Sequence, residues 1–232
     1  MTPDEKASPP PEPVTPAVAV DVAVFTVLDG ALHVLLIPVR TGAFAGRSAL
    51  PGGRVRFDET LEQAARRQLG AQTGVRRIYL EQLYTFGSPT RDPHGRVVSV
   101  AYFALIPHGA RFVARGHGVT APWDARWCRV ARLPPLAYDH RAVIRIGLIR
   151  LRAKLRYTNL VYGLLPARFT VSELQEMYEA IVGRRLDRRN FRKKILSLGL
   201  LRRAPGVRRG AHRPAALYAF RQRRPMMIEV LG

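Results

Sequence analysis

Apolar residues in this chain follow two different periods. From Val20 to Arg40, VDVAVFTVLDGALHVLLIPVR reads as two runs of β-branched and aliphatic residues joined at Asp29-Gly30. An Asp-Gly pair between such runs is a strong hairpin signal, because a tight type I′ turn needs positive φ at both central positions. IYLEQLYTFGSP (78–89) and RVVSVAYFALIPH (96–108) supply further strands, separated by the turn-forming Arg91-Asp92-Pro93-His94-Gly95. A final strand and loop are expected from Trp127 to Pro135. Asp139 is placed to cap a helix running to about Leu155. Its Val143, Ile144, Ile146, Leu148, Ile149 and Leu151 give more apolar surface than one stripe requires. Such a helix suits a connector between domains, a dimer interface, or both.

Helical spacing returns in the last third. Thr170 and Glu173 form a capping-box pattern ahead of Leu174, Met177, Tyr178 and Ile181, and Gly183 is a natural stop. Asp187 can cap a second helix, RRNFRKKILSLG, closed by Gly199. Two short helices in this arrangement resemble a helix-turn-helix. In the second, Phe191, Ile195 and Leu198 recur at i, i+4 and i+7 and must face the core. At about 100° per residue, Arg189, Lys193 and Ser197 then point outward, with Asn190 and Arg192 on the shoulders and Arg188 and Lys194 nearer the core boundary. Such a face offers forked donors for guanine, an amide for adenine and cations for phosphates. A merely solvated helix would intersperse acids among its bases; none occurs from Arg188 to Arg203. LLRRA and AALYAF then flank a loop bearing Arg208, Arg209, His212 and Arg213. This looks like a wing whose tip adds affinity through phosphates or the minor groove.

Charge changes the picture more than composition does. The 232 residues are 47% hydrophobic, enough for one large domain or two modest ones, and carry a formal net charge of +21. Arginines outnumber lysines 34 to 4, which a codon bias would spread evenly, yet residues 151–232 hold a net +14 and residues 1–150 only +7. The asymmetry points to a nucleic-acid partner. The lone Cys128 excludes an intramolecular disulfide. Residues 1–16, with six prolines, read as a disordered arm. With no signal-like or membrane-spanning apolar run, a cytoplasmic protein is expected.

Residues 53–75, GRVRFDETLEQAARRQLGAQTGV, carry the remaining chemistry. Gly53, Glu59, Arg67, Leu69, Gly74 and Val75 stand at the spacing of the Nudix box, the signature of pyrophosphate-hydrolysing domains that this segment resembles. Gln68, Ala71 and Gln72 occupy the positions of its three glutamates. Spaced i, i+3, i+4, these share one helical face and would aim three oxygen donors at one point. A Mg²⁺ ion is held by carboxylates and substrate phosphates, so a neutral amide is a poor ligand and alanine none. Asp58 and Glu59 remain, expected as first-turn acids of the box helix at least as readily as metal partners. Neither a catalytic residue nor a metal ligand is assigned.

The ordered strings RDPHGRVVSVAY, LPPLAYDHR, LLPARFTVSELQEMYE and LDRRNFRKKI, spread over nearly the whole chain after the arm, are similar to the NrtR family of Nudix-related regulators of NAD metabolism. The resemblance implies an α/β fold: an N-terminal Nudix-like α/β/α sandwich with a mixed sheet (17–138), a connecting helix (139–155), a winged helix-turn-helix (156–224) and a short tail (225–232). It further implies a homodimeric repressor of a palindromic operator in double-stranded DNA, relieved by ADP-ribose or a related nucleotide, with no required cofactor. By position, Gly52 and Gly53 would allow close approach of that effector, and Arg54, Arg67 and Arg91 are candidate partners for its pyrophosphate or ribose. Each has a rival reading: Arg67 can pair with Glu59 or Glu62, Arg91 lies in a turn, and Arg54 replaces an expected apolar residue. Two other functions stay open. One is a hydrolase using Asp58, Glu59, Glu62 or Glu81; the other is a nonspecific polyanion-binding module.

Overall fold

The structure, a computed structural model, describes residues 14–76, 78–107, 123–209 and 214–228. The two opening runs form strands β1 (Ala17–Leu28) and β2 (Ala31–Pro38). Asp29 and Gly30 have φ of 48° and 69°, the pair of positive values that closes a two-residue hairpin. Short strands β3 (Ser48–Ala49) and β4 (Gly52–Arg54) follow, then β5 (Tyr79–Phe86), β6 (Val97–Leu105) and β7 (Arg126–Arg129). The sheet runs β3-β2-β1-β6-β5, with β4 on β1 and β7 on β2. β1 is parallel to β6, with Asp21 opposite Ala101, and antiparallel to β2 and β4. The mixed sheet expected from the sequence is therefore present.

Helix α1 (Leu61–Thr73) starts at Thr60, whose hydroxyl accepts the Gln63 N–H while the Gln63 side chain returns to the Thr60 N–H. Asp58 and Glu59 thus precede the helix, and the first-turn acid is Glu62. The expectation that they were first-turn acids is corrected: Thr60 captures the N-cap because its hydroxyl and Gln63 satisfy two orphan donors reciprocally.

Alternation along β1 sends Val20, Val22 and Val24 to a core against Ala64, Ala65 and Leu69 of α1. Ala23, Phe25 and Val27 go to the opposite face, against helix α2 (His140–Tyr157). Gly147 lets α2 settle there, since a Cβ at that position would lie 3.0 Å from the Phe25 ring. α2 runs two residues past the expected Leu155, and Ile149 on its outer side stays 60% exposed.

The second core continues without a break into the C-terminal domain. A 3-10 helix (Leu160–Leu164) leads to α3 (Val171–Val182), α4 (Arg188–Ser197) and the hairpin β8 (Leu201–Arg208) and β9 (Ala215–Phe220). Leu174, Tyr178, Phe191 and Phe220 belong to the same apolar cluster as Phe25 and Phe103. Tyr79 bridges the two regions by packing edge-on against both Phe103 and Tyr162. No helix among the described residues is long and apolar enough to cross a membrane.

Candidate functional sites

α4 is held by its sequence in the orientation its apolar spacing predicts. The Asp187 carboxylate accepts the Asn190 N–H at 2.8 Å and fixes the first turn. Phe191 and Ile195 are buried, and Leu198 packs against the core from the C-cap. Arg188, Arg189, Asn190, Arg192, Lys193, Lys194 and Ser197 are all exposed. Arg188 and Lys194, placed nearer the core boundary by their spacing, also reach solvent. The Ser197 hydroxyl donates to the Lys194 carbonyl at 2.8 Å, so it is engaged on its own helix. Glu179, at the end of α3, accepts from the Leu186 N–H and from Arg185; the Leu186 bond leads in pulling its carboxyl below the usual range. These contacts lock the turn between the two helices.

The wing departs from expectation. Strand β8 extends to Arg208, so Pro205–Arg208 is strand with a register shift between Arg203 and Val207, not loop. Arg208 reaches back to Glu173 in the first turn of α3, with Nε 3.2 Å from the carboxylate. Arg209 is exposed, and His212 and Arg213 lie outside the described residues.

A second site opens beside the mixed sheet of the N-terminal domain. A cavity of about 650 Å³ is lined by β1, β2, β4 and the 91–94 turn, and it includes Gly52, Gly53, Arg54 and Arg91 but not Arg67. Arg67 is spent elsewhere: its guanidinium grips Glu59 through Nε at 2.7 Å and also donates to the Arg54 carbonyl. That Arg67 hydrogen bond is the first cause holding the Glu59 carboxyl down at about 2. Gly52 is required by the protein's own packing, and the Gln68 amide occupies the space over Gly53. A Cβ on Gly52 would lie 2.4 Å from the Val20 carbonyl, and one on Gly53 would lie 2.3 Å from Gln68 Nε2.

The cavity floor is a buried charge network invisible in the motif. Asp21 accepts from Arg91 at 2.8 Å and from the Ser99 hydroxyl at 2.6 Å, and it faces His140 Nε2 at 3.2 Å. The Leu50 N–H donates to His140 Nδ1 at 2.9 Å, which places the ring proton on Nε2 toward Asp21. Burial alone would push the Asp21 carboxyl up, but His140, Arg91 and Ser99 together hold it well below the usual carboxylate range. Arg91 also grips Asp139, and its guanidinium lies 5.6 Å from the Tyr138 ring centroid. Trp123 and Tyr138 add aromatic faces to the cavity, and His94 and Asp92 add polar ones. None of Asp21, Ser99, Trp123, Tyr138 and His140 was singled out from sequence. The available signal was Asp21 itself, a lone acid inside an otherwise apolar strand.

The donors on the box face do not fit a divalent cation. Gln72 uses both ends of its amide on Gly52, accepting the N–H at 2.9 Å and donating to the carbonyl at 2.8 Å. Ala71 offers no ligand, and Glu59 is committed to Arg67.

Comparison with known proteins follows this geometry. The NUDIX domain model matches residues 17–145, and the NrtR DNA-binding winged helix domain model matches residues 161–220. The ADPR responsive transcriptional repressor NtrR of Acinetobacter baylyi is 36% identical over 208 residues, spanning 89% of this chain and 82% of the relative. The chain belongs to the NrtR family. Among solved members, Shewanella oneidensis NrtR complexed with a 27mer DNA matches with a TM-score of 0.77 at 33% identity, over 88% of this chain and 93% of that one. The NUDIX domain of the same protein, complexed with ADP ribose, matches at 35% identity and a TM-score of 0.52, over 60% and 90% of the two chains. Likeness of the N-terminal domain also reaches an enzyme. An ADP-ribose pyrophosphatase of Methanocaldococcus jannaschii is 36% identical over 130 residues, 56% of this chain and 72% of the relative. As an NrtR-family member, the chain is a transcriptional regulator that joins a Nudix domain to a DNA-binding winged helix.

Proposed function

We propose that the chain is a homodimeric repressor of NAD-metabolism genes, acting in the cytoplasm on a palindromic operator and releasing it when ADP-ribose or a related nucleotide enters the Nudix-domain cavity. The observation that carries this reading is the exposed face of α4, an acid-free run of cations and one amide on a core-anchored helix. Two such helices related by a dyad read half-sites about one turn of DNA, roughly 34–36 Å, apart. The outward Ile149 of α2 and the exposed Tyr84 on the edge strand β5 are apolar surface suited to a second copy.

The ligand assignment rests on the cavity and on the names of the relatives. Arg54, exposed at the rim, takes the pyrophosphate, while Trp123 and Tyr138 present faces for a base. Binding needs no metal and no hydrolysis follows, because the positions that would carry the cation hold Gln68, Ala71 and Gln72. Coupling runs through α2. Asp139 and His140, on the cavity floor, begin that helix, and Arg152 near its other end donates to the Ile181 carbonyl at 2.8 Å, closing α3. Repression is relieved only if the ligand prefers the dimer state that binds DNA poorly.

A footprint upstream of the chain's own gene and its neighbours, repeated with ADP-ribose, tests the whole reading. Protection of a palindrome that ADP-ribose abolishes is expected. Equal affinity for scrambled DNA across salt concentrations would reduce the chain to a nonspecific polyanion binder. Magnesium-dependent cleavage of ADP-ribose at an ordinary enzymatic rate, about 1–10³ s⁻¹, would restore the hydrolase alternative.

A further inference from the structure

We infer that Gln72 is a positioning residue, a neutral latch that stands in for a missing strand along the free edge of β4 and keeps the cavity formed without a metal ion. The inference rests on the reading that this cavity takes ADP-ribose.

β4 is three residues long and paired on one edge only, to β1, with Asp21 opposite Gly52 and Ala19 opposite Arg54. Its other edge leaves the Gly52 N–H and carbonyl facing α1. The Gln72 amide meets both, at 2.9 and 2.8 Å, with the geometry of one peptide unit pairing with another. Gln72 is only 6% exposed, so its amide is held in place against Gly52 by the packing around it. Gln68 backs the latch from one helical turn away. Its Oε1 lies 3.4 Å from Gln72 Nε2, and its amide fills the space that a Gly53 Cβ would claim.

At neutral pH an amide makes this pair, whereas an ionised carboxylate cannot, because it has no donor for the Gly52 carbonyl. A metal could neutralise such an anion; the glutamine makes it unnecessary. Two of the three glutamate positions, 68 and 72, thus hold side chains that make bonds of their own, and the substitution at Gln72 builds the pocket as well as removing chemistry from it. The groups that share this corner are Asp21 from β1, Arg54 from β4, Arg91, Asp92 and His94 from the 91–94 turn, and His140 from α2.

The test is calorimetry of ADP-ribose on the full chain in EDTA, at pH 8 and pH 5, for the unchanged chain, Q72E and Q72L, each variant compared with the unchanged chain at the same pH. A protonated carboxyl has the shape and the donor of the amide, so Q72E should bind at least tenfold more weakly at pH 8 and return to within about threefold at pH 5. Q72L should stay weak at both. Gly52 N–H exchange, followed in the unchanged chain without ligand, should be slow, and this needs no variant to fold. Fast exchange at Gly52, or equal affinity of all three chains, would overturn the latch. If the unchanged chain itself binds no ADP-ribose while Gly52 exchange is slow, the assignment of the cavity fails and the latch stands as a structural bond.

Discussion

Asp139 stands at the N-cap position of α2 yet gives its carboxylate to Arg91, whose Nε and Nη2 nitrogens approach it at 3.1 and 2.8 Å. The helix therefore begins without a side-chain cap. Its first turn is held instead by a guanidinium that also carries buried Asp21 at 2.8 Å. One fork thus ties β1, the 91–94 turn and α2 together at the cavity floor.

Removing that fork should be costly. Arg91→Ala leaves Asp21 buried without its cation, a change of about 3–5 kcal/mol for a broken buried pair. Arg91→Lys should recover little, because one ammonium cannot serve two carboxylates with parallel donors. Urea unfolding at neutral pH reads both values. A loss below about 1 kcal/mol for Arg91→Ala would mean that Ser99 and His140 suffice to hold Asp21.

Much of the scaffold was legible because its signals are local. Asp29-Gly30, the Thr170 and Glu173 capping box and the Asp187 cap each specify a few neighbouring dihedrals, and each is found where its residues place it. The sites were legible only where one periodic element presents them, as α4 does. The cavity floor was not. Asp21 meets partners 70, 78 and 119 positions away, a juxtaposition set by the parallel β1–β6 pairing and by the docking of α2. Gln72 posed a different difficulty: motif spacing marks it by the carboxylate it lacks, whereas its bonds to Gly52 depend on where β4 ends up. Arg67 went the other way, its local rival Glu59 taking the guanidinium.

Base reading and backbone attraction should separate on α4. Arg189→Ala is expected to cost about 1–3 kcal/mol on the operator and to relax sequence choice at one position, as for a fork on a guanine edge. Lys193→Ala should weaken operator and scrambled DNA alike and reduce the salt slope by about one. Gel shifts from low to physiological salt distinguish the two. Unchanged operator affinity in both variants would refute the assigned face.

The wing arginines should differ in a similar way. Arg208 is bound to Glu173, which also completes the capping box of α3. Glu173→Ala should therefore lower stability by about 0.5–2 kcal/mol through the lost cap and also release the wing. Arg209→Ala leaves the fold unchanged and lowers affinity for all DNA sequences. Thermal melts paired with nonspecific binding resolve the two effects, and a stable Glu173→Ala variant would show that the cap is dispensable.

Glu59 provides the pH signature. Its carboxyl is held at about 2, against an ordinary value of 4.5, chiefly by the Arg67 hydrogen bond. A carboxyl whose folded value is depressed binds fewer protons in the folded than in the unfolded chain across that interval, so folding loses stability as pH falls through it. The contribution is complete above 4.5 and gone near 2. Glu59→Gln cannot titrate, so its melting temperature should lie below that of the unchanged chain at pH 6, with the gap closing between those two values. The side chains are partly open to solvent, at 27% for Arg67 and 10% for Glu59, so added salt should narrow the gap as well. A gap that is constant from pH 6 to pH 2 would assign the loss to packing and remove the ion pair from the account.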